Sequence, residues 1–269
     1  MKYKIIVLDI DGTLTNSKKE ITPRTKKALQ EAMEQGVTVV IASGRPTPGI
    51  RHIADAIELG KYGGYVLSFN GGVITNYKTK EVIFEKTLPD GIVPLLYEES
   101  KKAGFAIVSY LDDVIITETP DNQYIDIEAY INKMQVVKVD DFVGTLRSPV
   151  TKCLMVGDPE KLVKEEERLK KKLGDRLNIY RSEPFFLEIM PQNIDKAYSL
   201  EKLLKHLKLT KEEMIACGDG FNDRSMIEYA GLGVAMCNAQ PAVKEVADLV
   251  TLTNDEDGVA LVVEDYLLK

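Results

Sequence analysis

The sequence predicts an α/β fold, a doubly wound parallel sheet interrupted by a long α+β insert. Three observations carry that expectation. Short apolar, β-rich runs at 3–8, 37–42 and 65–69 alternate with amphipathic helical stretches, as a parallel sheet with helical crossovers requires. From about Leu88 to Ile189 the alternation gives way to helices set among hairpin strands, which reads as an antiparallel sheet with helices on one face. After Lys196 the parallel pattern returns, so the first domain is discontinuous: residues 1–87 with 190–269, around an insert at 88–189.

Tyr3-Lys4-Ile5-Ile6-Val7-Leu8 has five apolar or aromatic residues in six positions and is too short for a helix, so it reads as a central strand. Thr22-Pro23 caps and starts a helix with Ala28, Leu29, Ala32 and Met33 on one face, and Gly36 ends it. The strand Val37–Ala42, a helix bearing Ile50, Ile53, Ala54 and Ile57, and the strand Tyr65–Phe69 follow. Gly71–Thr75 and Glu81–Phe84 read as a hairpin directed outward from the sheet. In the insert, helices are expected near 91–103 and 124–134, paired strands around Asp112-Asp113, and a strand through Lys152–Val156. A charged helix then runs to about Leu173, ahead of strands at 177–180 and 185–189. Past Lys196 come an amphipathic helix, strands at 214–217 and 232–236, the short Leu249–Thr251 and a closing helix.

The polar residues gather at the carboxyl ends of the parallel strands, where open α/β sheets bind ligands. The first strand delivers Asp9-Ile10-Asp11-Gly12-Thr13. Two carboxylates one residue apart repel unless a cation, a proton or hydrogen bonds hold them together. An ordinary turn built on Asp11-Gly12 is the plain alternative. A calcium loop fits less well, since its sixth position is Leu14 where the turn needs glycine. Met214-Ile215-Ala216-Cys217 delivers a second acidic cluster, Gly218-Asp219-Gly220-Phe221-Asn222-Asp223. With a cation between them, Asp9 and Asp219 supply the hard oxygen ligands that magnesium prefers. The third strand end carries Ser43-Gly44-Arg45-Pro46, whose hydroxyl and backbone N–H groups suit a phosphate, or whose Ser43 caps the next helix. Lys196 opens an amphipathic helix, where a lysine is ordinarily solvated.

With Asn70-Gly71-Gly72 these segments, in this order, make the chain resemble the haloacid dehalogenase superfamily of phosphohydrolases, and within it the Cof-type sugar phosphatases with a large α/β cap. The resemblance spans essentially the whole chain. Two positions depart from it: Ala197 follows Lys196 where these proteins usually have glycine, and Gly72 stands where alanine is commoner. It implies a Rossmann-like core with the insert as cap, and a Mg2+-dependent phosphatase that hydrolyses small phosphomonoesters, sugar phosphates among them, through an aspartyl-phosphate. Asp9 is then the nucleophile and Asp11 the acid and base. The metal falls to Asp9, the Ile10 carbonyl in preference to the Asp11 side chain, and Asp219, with Asp223 supporting its waters. Ser43, Gly44, Lys196 and Asn222 hold the phosphoryl oxygens, and Arg45 reaches a further anionic or hydroxyl-rich group of the substrate. A phosphomutase or phosphotransferase uses the same core. An aspartate-phosphorylated receiver domain needs neither the insert nor Asp11, and a phosphate-binding protein without turnover needs fewer of these groups.

Composition bounds the partners. The 269 residues, 44% of them hydrophobic, suffice for one large domain or two moderate ones. A net charge of −7 without a basic cluster argues against nucleic acid and anionic membranes, and no apolar run approaches transmembrane length. Lys170-Lys171-Lys172 falls on one helix with Glu165-Glu166-Glu167 and reads as a salt-bridged face. Cys153, Cys217 and Cys237 lie far apart in apolar strand-like segments, which points to a reducing cytoplasm. His52 and His206 sit in helical patterns away from the strand ends, so histidine-centred catalysis has no support. The expected partner is a small phosphorylated metabolite, and the expected state a monomer or weak homo-oligomer.

Overall fold

In the computed structural model, which describes residues 2–146 and 149–269, contacts divide the chain into two units, Met1–Phe84 with Asp195–Lys269 and Glu85–Ile194. The strands in chain order are β1 (Ile5–Leu8), β2 (Thr38–Ala42), β3 (Tyr65–Ser68), β4 (Val73–Asn76) and β5 (Val82–Glu85), then β6 (Ala106–Leu111), β7 (Val114–Thr117), β8 (Gln135–Lys138), β9 (Cys153–Val156), β10 (Leu177–Glu183) and β11 (Phe186–Pro191), and finally β12 (Met214–Gly218), β13 (Leu232–Ala235) and β14 (Leu249–Val250).

The first unit is built on one sheet in the order β14-β13-β12-β1-β2-β3-β4-β5. From β14 to β3 every pairing is parallel. All four residues of β1 are fully buried, as expected of a strand covered on both faces. Helix Pro23–Glu34 shows how local signals and packing agree. Thr22 accepts from the Thr25 N–H, Pro23 occupies the first turn, and the apolar stripe Ala28, Leu29, Ala32, Met33 is buried. Burying the Leu29 side chain alone contributes about 1.5–3 kcal/mol.

One expectation fails at the sheet's edge. The hairpin of β4 and β5 does not leave the sheet; β4 pairs antiparallel with β3, from Tyr65↔Asn76 to Ser68↔Val73, and β5 lies beside it. An antiparallel edge strand needs only a tight turn from β3, which Phe69-Asn70-Gly71 supplies with Asn70 and Gly71 at φ 51° and 104°.

The second unit carries a sheet in the order β10-β11-β9-β6-β7-β8. Two sequence expectations are corrected there. β8 escapes the apolar reading because most of its residues are exposed, and it pairs parallel to β7 rather than antiparallel. Helices also lie on both faces. Alternate residues of one sheet face, Ile107, Ile116, Met155 and Leu187, pack with Leu96, Leu162 and Leu169 of the helices Ile92–Ala103 and Pro159–Leu173. Their neighbours Val108, Ile115, Leu154 and Phe186 pack instead with Ile125 of helix Gln123–Asn132. The charged helix is salt-bridged as read, through Arg168–Glu165, Lys170–Glu166 and Lys172–Glu99. Cys153 and Cys217 are buried, whereas Cys237 is exposed, because the strand ends at Ala235, before it is reached. Among the described residues no helix is long and apolar enough to cross a membrane.

Candidate active site

The register of the central strands assembles the site. Leu8 lies opposite both Cys217 of β12 and Ile41 of β2, so the residues that follow the three strands emerge side by side: Asp9, the Gly218-Asp219 turn and the Ala42-Ser43 turn. The Asp9 N–H still bonds to the Cys217 carbonyl at 3.1 Å, which fixes its carboxylate at the sheet's end.

Lys196 is the centre of the charge arrangement. It is fully buried in the first turn of helix Lys196–Leu207, where Asp195 accepts from the Tyr198 N–H. Its Nζ donates to Asp9 Oδ1 at 2.6 Å, Asp223 Oδ1 at 2.5 Å and the Ala42 carbonyl at 2.8 Å. The solvated role of a helix lysine is thus not realised. Asp223, itself fully buried, accepts at Oδ2 from the N–H groups of Asp219 and Gly220, both at 2.9 Å. Thr13 Oγ1 donates to Asp219 Oδ1 at 2.8 Å. Gly12 has φ +83°, and a Cβ there would run into the Asp219 carboxylate. The glycine of the opening motif is therefore required by close approach as well as by backbone conformation.

One buried ammonium faces three carboxylates. Burial, then repulsion from Asp223, hold the Asp9 carboxyl well above the ordinary range despite Lys196. Burial also pushes Asp219 up to about 6, with Asp223 adding to it and the Thr13 hydrogen bond opposing. Burial works against the Lys196 charge, yet Asp223 and Asp9 outweigh it and hold the ammonium above the usual lysine range. Oxygens of Asp9, Asp219 and Asp223 lie within 4.8 Å of one another, so an additional cation fits the donor set. Both Asp223 oxygens already take internal donors, which suits it to orienting its neighbours.

Asp11 lies apart from this cluster. Arg45 Nε and Nη2 donate to its Oδ2 and Oδ1 at 3.0 and 2.8 Å, and Lys19 Nζ reaches Oδ1 at 2.8 Å. Burial opposes ionisation, but the Arg45 charge and Lys19 hold the carboxyl below its ordinary value. The Ile10 carbonyl accepts from the Thr15 N–H at 3.0 Å and the Thr15 hydroxyl at 2.9 Å. Its lone pairs are engaged within the loop, so the expected carbonyl ligand to a metal is not offered by this geometry.

Ser43 does not cap a helix; the next helix starts at Thr47, and the Ser43 hydroxyl accepts instead from the Arg45 N–H at 3.3 Å. Gly44 packs against the Asn70 side chain, where a Cβ would stand 3.1 Å from Nδ2. Asn222 donates to Asn70 Oδ1 at 3.0 Å, linking the β12 and β3 turns. The predicted residues thus fall into three groups: Asp9, Asp219 and Asp223 clustered with Lys196 bonded to the first and last, Asp11 with Arg45, and Ser43, Gly44 and Asn222 on the adjoining turns, the last two meeting at Asn70.

Sequence reasoning assigned no role to Thr13, Asn70, Lys19 or Asn238, which donates to the Gly12 carbonyl at 2.8 Å. Asn70 was signalled by its Asn-Gly pair at a strand end, a sequence that favours left-handed backbone. Lys19 carried no signal, being one of two lysines in a polar loop.

Comparison with known proteins gives a consistent result. The family model for haloacid dehalogenase-like hydrolases matches residues 6–263. The 5-amino-6-(5-phospho-D-ribitylamino)uracil phosphatase YcsE of Bacillus subtilis is 33% identical over 98% of this chain and 96% of its own length. The crystal structure of a haloacid dehalogenase-like hydrolase from Bacteroides thetaiotaomicron superposes with a TM-score of 0.95 at 50% identity, covering 98% of this chain and 99% of that one. A HAD subclass IIB sugar phosphatase superposes with a TM-score of 0.82 at 26% identity, covering 98% of each chain.

Proposed function

The chain belongs to the haloacid dehalogenase-like hydrolases and is a phosphatase of that family; from that premise we propose that it hydrolyses small phosphomonoesters, sugar phosphates among them, through a phosphorylated Asp9, with Mg2+ bound. The observation that carries this reading is the buried Asp9 carboxylate, held at one oxygen by Lys196 beside Asp219 and Asp223.

Lys196 holds Asp9 Oδ1, which leaves Oδ2 as the attacking oxygen. That oxygen forms a bond to phosphorus as the ester P–O bond breaks, and the leaving alkoxide takes a proton from Asp11. Water then attacks the phospho-Asp9 and gives its proton to the ionised Asp11, which restores both groups. Asp9 and Asp219 would hold the metal, with Asp223 fixing Asp219 through its backbone N–H. When bound, Mg2+ supplies charge neutralisation for the phosphoryl oxygens. Lys196 adds a fixed positive charge, and Ser43, the Gly44 N–H and Asn222 are the proposed donors to the remaining oxygens. Arg45 holds Asp11 in its ionised form in the resting site. The acid form therefore requires Arg45 to turn to a group of the substrate, which is the role proposed for it. The 88–189 insert is proposed as the cap that shapes the leaving-group pocket.

A phosphate-release screen across phosphomonoesters with Mg2+, repeated in excess chelator, tests the activity. Rapid acid quench after mixing with an ester carrying radiolabelled phosphate tests the intermediate, and the label is expected transiently on Asp9 of the wild type and absent from Asp9→Asn. Full activity in chelator would remove the metal, and inversion of configuration at phosphorus, in place of the retention that two displacements give, would remove the nucleophile.

A further inference from the structure

We propose that Lys19 is a positioning residue for Asp11, keeping its carboxylate in place during proton transfer to the leaving group; the inference rests on the phosphatase reading above.

The argument starts from how Asp11 is held. Its carboxylate lies on a loop outside β1 and is more than a third exposed, so its own packing does not fix it. Arg45 grips both oxygens, and its side chain is largely buried. Such a two-point fork sets the plane of the carboxylate but engages the oxygens from which a proton must pass. Transfer to an alkoxide needs one oxygen released from Arg45. Once released, the carboxylate would be free to turn about its two side-chain torsions. Lys19 touches Oδ1 only. It is therefore placed to retain that oxygen while Oδ2 faces the leaving group.

An exposed lysine ordinarily makes a poor tether because its long side chain loses rotamer freedom on pairing. The turn that carries Lys19 reduces that loss. Asn16 Oδ1 accepts from the N–H groups of Lys18 and Glu20 at 2.9 and 3.0 Å. The Lys19 N–H bonds to the Asn16 carbonyl at 2.9 Å, and Lys19 itself adopts φ 62°. Ser17 anchors the turn to a distant loop, its N–H and hydroxyl donating to the two Asp255 oxygens at 2.8 and 2.6 Å. The stem of Lys19 thus starts from a fixed base, and only its four carbons and ammonium need ordering.

This role predicts an effect that depends on the leaving group. A nitrophenolate departs without a proton, whereas a sugar alkoxide requires one, and kcat/KM reports the steps up to P–O cleavage. In Lys19→Met, kcat/KM is expected to fall about 10-fold for a hexose 6-phosphate, a fraction of the usual worth of a general acid, and less than about 2-fold for p-nitrophenyl phosphate. Lys19→Arg should recover most of the sugar-phosphate value. Asp255→Asn, which loosens the turn, should show a smaller loss with the same selectivity and add nothing to Lys19→Met. Losses of equal size on both esters, or none on the sugar phosphate, would overturn the role of Lys19. A wild-type enzyme that releases phosphate from neither ester would instead overturn the phosphatase reading.

Discussion

Replacing Asp219 by asparagine should make the metal-free protein more stable while abolishing its response to Mg2+. Burial and Asp223 raise the Asp219 carboxyl from an ordinary 3.8 to about 6. Keeping it ionised near neutral pH then costs about 3 kcal/mol at 1.36 kcal/mol per pH unit. Asp219 is partly open to solvent, so screening lowers this to roughly 1–2 kcal/mol. Asparagine removes the charge and still offers Oδ1 to the Thr13 hydroxyl. Between about 4 and about 6 the folded wild type holds a proton that the unfolded chain has released. Wild-type stability therefore falls as pH rises through this window, and the variant's lead opens over the same range. Scanning calorimetry in chelator near neutral pH should show the variant's transition roughly 3–6 °C higher. The lead should vanish under acid conditions, and saturating Mg2+ should raise only the wild type. A variant that unfolds earlier than wild type in chelator, or that gains as much from Mg2+, would refute the charge-crowding argument.

Asp11→Asn should slow both phosphorylation and dephosphorylation by about 10²–10⁴, measured by rapid quench, and an unchanged rate would remove Asp11 from proton transfer. Lys196→Met leaves Asp9 and Asp223 without their shared buried ammonium, and denaturant unfolding should show a loss of about 3–5 kcal/mol in chelator, partly recovered as the pH is lowered. Gly12→Ala forces a side chain into left-handed backbone and against Asp219; it should cost about 1–2 kcal/mol from the backbone alone, with a loss of Mg2+ affinity read by titration calorimetry. Replacing about 88–189 by a short linker, if the remainder folds, should flatten the spread of kcat/KM among sugar phosphates, and an unchanged spread would place selectivity in residues such as Arg45.

The parallel strands were legible because burial on both faces leaves a continuous apolar run, as Ile5–Leu8 and Met214–Cys217 show. β8 was not, since an exposed edge strand carries no such run. The hairpin at 73–85 was visible as a hairpin, but whether it joins the sheet depends on its pairing with Tyr65–Ser68, which local sequence does not encode. The same limit applies at the site. Asp9, Asp219 and Asp223 follow from acidic turns at strand ends, whereas the grip of Lys19 and Arg45 on Asp11 arises only once the loops after β1 and β2 are placed in space. Thr15's capture of the Ile10 carbonyl is likewise a matter of loop geometry.

The pairing of β1 with β12 also bears on the order in which the chain is completed. Ile5–Leu8 emerges early in synthesis, but one of its two neighbours, Met214–Gly218, follows more than 200 residues later. Contacts so distant in sequence close slowly. The second unit, by contrast, is built from the continuous segment Glu85–Ile194, so it can consolidate while the central strand of the first sheet is still unpaired on one side. Asp9 waits 187 positions for Lys196. Until that lysine and, after it, Asp219 and Asp223 arrive, the charge cluster cannot form, and the nascent chain carries a finished insert on an unfinished, catalytically silent sheet.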